Sequence, residues 1–209
     1  MRKRRFFFDL DRTLYDTDAV TQSIHQDLCE AGHHAEDVKR HAASLHESGY
    51  SFERHMQLLG IPTEEIACKA DTLRAHFLNG NRYLYPDVLL GIEYLKHLGE
   101  CILLTFGDPA FQGEKVNGIN LIQSNFTVTH FVWLDRKKSD VIRRYGQHAE
   151  TWFFENDPKH LEDVRIHTPW VKCVRIARER LPFVPHPLDG KQWPVVETLD
   201  GFIRLVEEA

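Results

Sequence analysis

Apolar residues in this chain gather into short blocks that end abruptly on polar side chains. Arg5-Phe6-Phe7-Phe8 stops at Asp9, Cys101-Ile102-Leu103-Leu104 stops at Thr105-Phe106-Gly107, and Thr151-Trp152-Phe153-Phe154 stops at Glu155-Asn156-Asp157. Val171–Ile176 and Phe131-Val132-Trp133 are two further blocks. Runs of this length, rich in aromatic and β-branched residues, predict buried strands. Between them the apolar spacing changes to a helical one. Leu89, Ile92, Tyr94, Leu95 and Leu98 predict a helix stopped by Gly99. Residues 139–145 and 199–206 predict two more.

Strands alternating with helices predict an α/β fold: a Rossmann-like parallel sheet with helices on both faces. In such sheets ligands bind beyond the carboxyl ends of the strands, so the three polar endings should converge on one crevice. Residues 16–84 read differently. They hold no strand pattern but four helical ones, over 17–31, 35–47, 51–59 and 63–78, broken at Gly32, Gly49 and Gly60-Ile61-Pro62. The expected organisation is an α/β core of residues 1–15 and 85–209, with an inserted helical cap over 16–84. The proline-rich stretch 181–187 is expected to run extended over the surface.

Composition narrows the function. The chain has 209 residues, 42% of them hydrophobic and 27% charged, as expected for a globular domain. The charge balance of 26 basic against 31 acidic residues, −5 overall, argues against general nucleic-acid binding, which needs a basic surface. No apolar run approaches the roughly 18 residues that span a bilayer. The basic start lacks the apolar core of a signal peptide. The four cysteines form no Cys-x-x-Cys pair. A reduced, cytoplasmic protein is the expectation.

Asp9-Leu10-Asp11-Arg12-Thr13-Leu14 is the central motif. Two acids spaced by two at a strand end can face one site, one attacking phosphorus while the other handles the proton. Close carboxylates repel, so a divalent cation is expected beside them. Asp and Thr are also common helix caps, and on its own the motif leaves that reading open.

The wider context bears on the choice. Residues 7–17, Phe-Phe-Asp-Leu-Asp-Arg-Thr-Leu-Tyr-Asp-Thr, resemble the first motif of the haloacid dehalogenase superfamily of phosphohydrolases. The resemblance continues through Tyr85-Pro86-Asp87-Val88 and Leu95-Lys96-His97-Leu98-Gly99. It then runs through Leu103-Leu104-Thr105-Phe106-Gly107-Asp108 with Gln112 and Lys115, and ends in Phe153-Phe154-Glu155-Asn156-Asp157-Pro158-Lys159-His160-Leu161.

The resemblance implies roles. Asp9 would be the nucleophile that forms an aspartyl-phosphate. Asp11 would be general acid and then base, which calls for a raised pKa, and its carbonyl would ligate Mg²⁺. Thr105, with Phe106 beside it, would bind a phosphoryl oxygen. Lys137 or Lys138 would neutralise charge at Asp9.

Two positions depart from the pattern. Glu155-Asn156 stands where two acids, or Gly-Asp, are usual. Asn156 then falls at the principal metal position, with Glu155 or Asp157 as the alternatives. Arg12 stands where Gly or Asn is usual. Asp11 itself favours phosphate chemistry over dehalogenation. The implied function is an Mg²⁺-dependent phosphatase for a small phosphorylated metabolite. A phosphomutase and a non-catalytic phosphate-binding regulator are the rivals. The inserted helices would form a lid, with Tyr50, Arg54 and His55 as candidates for lining the pocket. They carry seven of the 13 histidines, expected mostly on solvated helix surfaces with no zinc-ligand spacing. The oligomeric state is left open.

Overall fold

The computed structural model describes residues 3–45, 48–178 and 184–209. Its centre is a six-stranded, all-parallel sheet of β1 (Arg4–Phe8), β2 (Gly99–Phe106), β3 (Val128–Val132), β4 (Glu150–Glu155), β5 (Val171–Ile176) and β6 (Val195–Val196), in the order β3-β2-β1-β4-β5-β6. Strand β1 lies between β2 and β4, with Phe8 opposite Leu103 on one side and Phe154 on the other.

The middles of β1, β2, β4 and β5 are apolar because both faces are covered. Phe6, Phe8, Leu103, Phe154 and Val174 face one layer, and Phe7, Ile102, Leu104, Phe153 and Cys173 face the other. The first layer includes α5 (Val88–Leu98), α6 (Pro109–Asn117), α7 (Asn120–Asn125) and α10 (Leu199–Glu207). The second includes α8 (Lys138–Arg144) and α9 (Pro158–His167). Phe202 of α10 stacks on Phe154 at 4.7 Å between ring centroids and meets Phe8 edge-on at 5.9 Å.

Between β1 and α5 lie α1 (Thr17–Glu30), α2 (Ala35–Leu45), α3 (Phe52–Leu58), α4 (Thr63–Leu78) and a 3₁₀ turn over Gly80–Tyr83. The four helices pack on one another, and α4 also rests on α6. Their apolar faces, through Val20, Ile24, Phe52 and Phe77, join the cluster that holds Phe8 and Leu14. The last residues expected in the second of these helices, 46 and 47, lie outside the described residues, as do 181–183 of the proline-rich stretch.

The helical block departs from expectation at His55. It is fully buried, not solvated, with Nε2 against the Val38 carbonyl at 3.0 Å and Nδ1 against the Tyr50 hydroxyl at 2.9 Å. Burial pushes its imidazole down to about 4, so it is neutral at physiological pH.

Candidate active site

The turn after β1 brings the first motif together. Asp9 ends the strand and donates its backbone N–H to the Phe154 carbonyl at 3.0 Å, which ties it to β4. Arg12 then takes a left-handed conformation, φ 58°, the lone non-glycine residue with positive φ among those described. That geometry costs an ordinary residue roughly 1–2 kcal/mol. It folds the chain back so that the Arg12 N–H reaches the Tyr15 carbonyl at 2.8 Å. The Arg12 side chain lies along the surface and pairs with Asp18 at 2.7 Å.

Asp9 is buried beside a single cation. The Lys138 ammonium donates to Asp9 Oδ1 and Glu155 Oε2, both at 2.6 Å, and all three side chains are nearly inaccessible. The Thr13 hydroxyl donates to Asp9 Oδ2 at 3.0 Å. Burial, then Glu155 and Asp11, push the Asp9 carboxyl up against the pull of Lys138, to about 7. Burial also raises Glu155. Burial alone would lower Lys138, but Asp9 and Glu155 outweigh it and keep the ammonium charged. Two carboxylates thus share one ammonium, and the cluster carries excess negative charge once both are ionised.

Asp11 sits in a different environment. Its carboxylate accepts from the Lys115 ammonium at 2.6 Å, the Thr17 hydroxyl at 2.6 Å and the Gln112 amide at 2.8 Å. Burial would raise it, but Lys115, Thr17 and Gln112 together hold it below the usual carboxylate range. The raised pKa that a general acid calls for is therefore absent from this arrangement. Gly107 makes room for the contact. Its φ is +137°, and a Cβ there would lie 3.0 Å from the Gln112 amide nitrogen.

Asp9, Asp11, Phe106, Lys138, Glu155, Asn156 and Asp157 all line one cavity of about 570 Å³ between the strand ends and the helical block. Thr105 lies within the protein at the end of β2, and its buried hydroxyl has no hydrogen-bond partner. Lys137 is turned away: its side chain is 59% exposed and its ammonium pairs with Asp163 at 3.2 Å. The lysine at Asp9 is Lys138, which lies one turn before Ile142 on the buried face of α8.

Asp157 caps α9, accepting from the Lys159 N–H at 2.8 Å. Glu155 Oε1 accepts the backbone N–H groups of Asn156 and Asp157 at 2.9 and 3.0 Å, while Lys138 holds Oε2. Glu155 is thus engaged at both oxygens and Asp157 at one. Asn156 is the third candidate. On one side its amide faces the Asp11 carbonyl and Glu155 Oε1, each at 3.0 Å, and the Thr13 hydroxyl at 3.2 Å. With the amide nitrogen on that side, it donates to these oxygens and no cation is needed. With the oxygen there, oxygens crowd at the roughly 3 Å spacing of neighbouring ligands around a Mg²⁺ ion, whose bonds are about 2.1 Å. In that second orientation the residues fit Mg²⁺, with Asp9 as the charged donor once an Asp9 oxygen gives up its hydrogen bond from Lys138 or Thr13.

Some of the machinery was not assigned from sequence. Thr13 and Thr17 carried no role there, nor did Gln112 and Lys115. Arg178 also went unnoticed. It donates to the Thr13 carbonyl at 2.7 and 3.0 Å and to Asp87 at 2.7 and 2.9 Å, pinning the turn that holds Asp9. His160 lines the cavity 4.8 Å from the Phe106 ring, measured between centroids, and burial lowers it to about 4. Of the pocket candidates, Tyr50 lines the cavity, whereas Arg54 folds back on the Ser48 and Gly49 carbonyls at 2.7 and 2.5 Å.

No protein-family model and no curated protein sequence matches the chain. Solved structures do. A haloacid dehalogenase-like hydrolase from Burkholderia xenovorans superposes with a TM-score of 0.76 at 14% identity, covering 100% of this chain and 98% of that one. A magnesium-bound HAD-hydrolase from Bacillus subtilis gives 0.64 at 14%, covering 99% of each. The L-2-haloacid dehalogenase of Xanthobacter autotrophicus, with chloropropionic acid covalently bound, gives 0.66 at 16%, again covering 99% of each. With β1 central in a parallel sheet and a helical block inserted directly after it, this chain has the haloacid dehalogenase-like hydrolase fold.

Proposed function

We propose that the protein is a phosphatase acting on a small phosphomonoester, with Asp9 as nucleophile and residues 16–84 as its cap. The observation that carries this reading is the pairing of two carboxylates at one strand end with two buried lysines. Lys138 serves Asp9 and Lys115 serves Asp11, in a single cavity. The carboxylates of Asp9, Asp11 and Glu155 outnumber these two ammonium groups, so a phosphoryl dianion would also need the charge of Mg²⁺; the buried Thr105 hydroxyl lies outside the cavity lining.

Asp9 attacks phosphorus, the bond to the ester oxygen breaks, and the alcohol leaves with a proton. Water then attacks phospho-Asp9, releasing phosphate and restoring the carboxylate. Asp11, held ionised, is suited to accept the proton of that water. For the first step it must hold a proton, and a phosphate that draws Lys115 away lifts its carboxyl toward that state. Asp9, the Asp11 carbonyl and Asn156 would hold Mg²⁺, which supplies Lewis-acid charge when bound.

A screen of phosphomonoesters with and without Mg²⁺ tests the reading. Phosphate release is expected, and none at high enzyme concentration overturns it. A second reading, halide displacement from a 2-haloacid, draws support from the ion-paired Asp11, because a departing halide needs no proton. Chloride release from 2-chloropropionate, with no phosphatase activity, would establish it instead.

Replacing Asn156 by Asp adds a carboxylate at the metal position. Even after repulsion from Asp9 and Glu155, one added charge in contact with the ion is worth at least ~1.4 kcal/mol, or about tenfold in affinity. Calorimetric titration of Asn156→Asp with Mg²⁺ should show that tightening. An unchanged dissociation constant would remove Asn156 from the ligand set.

A further inference from the structure

The cavity above Asp9 is unequal in its two halves. Toward the strand ends it is charged, as described. Toward the helical block its wall is built from Val20, Ile24, Ala43, Tyr50, Phe77 and Phe111. Tyr50 shows the cavity only its ring, because its hydroxyl is bonded to His55 Nδ1 at 2.9 Å, outside the cavity lining. That ring packs against Phe111 at 4.9 Å, and Phe111 against Phe77 at 5.4 Å, which forms a fixed aromatic corner.

Thr17 is engaged by Asp11, and Asp18 pairs with Arg12 through Oδ1 while its buried Oδ2 has no partner. Among the described residues, Asp18, Thr21, His25, Lys39 and Asp108 are then the polar side chains that border this half, around the apolar corner. A sugar or polyol placed against the corner of Val20, Ile24, Tyr50, Phe77 and Phe111 would bury hydroxyls without partners, each at a cost that a hydrocarbon there does not incur.

We infer that the substrate's leaving group is hydrocarbon-like: an alkyl or arylalkyl phosphomonoester whose phosphate lies at Asp9 and whose apolar body fills the space beneath α1, Tyr50 and Phe111. The inference rests on the phosphatase reading for its chemistry, but its binding half can be tested independently.

Primary n-alkyl phosphates from propyl to octyl have nearly constant leaving-group chemistry, so their hydrolysis isolates the pocket. The value of kcat/KM should rise about three- to fourfold per methylene until the cavity is full. Hexyl phosphate should exceed sorbitol 6-phosphate by about a hundredfold or more on the same scale. A flat alkyl series, or a polyol ester that equals or exceeds its alkyl counterpart, overturns the inference. Ile24→Asn, checked for folding by circular dichroism, should reduce the slope per methylene, and an unchanged slope counts against the pocket.

If no phosphate ester is hydrolysed, the phosphatase reading fails. Calorimetry with n-alkylphosphonates then decides the pocket alone. Affinity rising with chain length supports it, and affinity independent of chain length overturns it.

Discussion

Asp9→Asn should abolish phosphomonoester turnover and raise the melting temperature by a few degrees at pH 8. The loss of activity follows from removing the nucleophile. The gain in stability follows from its surroundings. Asp9 is buried with Glu155, and one ammonium serves both. Its carboxyl moves from 3.8 to about 7 on folding, so the folded protein holds that proton more tightly than the unfolded chain does. Keeping Asp9 ionised therefore destabilises the fold, with the penalty accumulating as pH rises from about 4 to 7 and complete above it. Asparagine leaves Lys138 and Glu155 as a neutral pair.

Some of the gain is offset by the weaker Lys138 hydrogen bond, leaving on the order of 1–2 kcal/mol, or about 2–8 °C for a chain of this size. The gain should fade below pH 4, where the wild-type carboxyl is protonated in both states. Thermal melts at pH 4 and 8, beside a phosphate-release assay, check both parts. Residual turnover would remove Asp9 as nucleophile, and a lower melting temperature at pH 8 would refute the charge account.

Lys138→Met should be the most damaging single change in the site. It leaves the Asp9 and Glu155 carboxylates buried together with no cation. Breaking such a pairing costs about 3–5 kcal/mol, which corresponds to a fall of roughly 10 °C in Tm. Turnover should vanish with it. The deficit should shrink toward pH 5, as protons replace the missing ammonium on the two raised carboxyls. Lys137→Met is the control: that side chain is 59% exposed and should change stability by no more than about 0.5 kcal/mol. Equal damage from the two substitutions would mean that the register of α8 is wrong.

The parts of the fold legible in the sequence are those where one physical cause acts alone. Strands β1, β2, β4 and β5 are buried on both faces, so their apolar runs stand out against any neighbour. Strand β6 is two residues long beside Pro194 and has no pattern to read. Helices α6 and α9 did carry a signal. Asp108-Pro109 and Asp157-Pro158 are each a capping acid followed by proline at the first turn, and each opens a helix. Reading Asp157 as a metal ligand instead concealed the second of them.

The candidate site was legible to the same degree. Asp9 and Glu155 lie where the apolar runs of β1 and β4 stop, and Asp11 follows in the turn after β1, so their proximity is legible in the sequence. Lys115 and Arg178 were not given roles, because their partners lie 104 and 165 residues away and only the fold brings them together. The choice between Lys137 and Lys138 was open because only Ser139 stands beside them to fix the register, and the fold buries Lys138 while Lys137 pairs with Asp163.

The central position of β1 also bears on how the protein is made. It is the first strand of this sheet to be synthesised, yet its two neighbours follow about 95 and 146 residues later, at the Arg5–Glu100 and Arg4–Glu150 contacts. At 5–20 residues per second, the second of those partners arrives roughly 7–30 s after β1. Throughout that interval three consecutive phenylalanines have no sheet to join. Arg4 and Arg5 beside them act as gatekeepers, repelling like segments on neighbouring nascent chains until Glu100 and Glu150 arrive to pair with them.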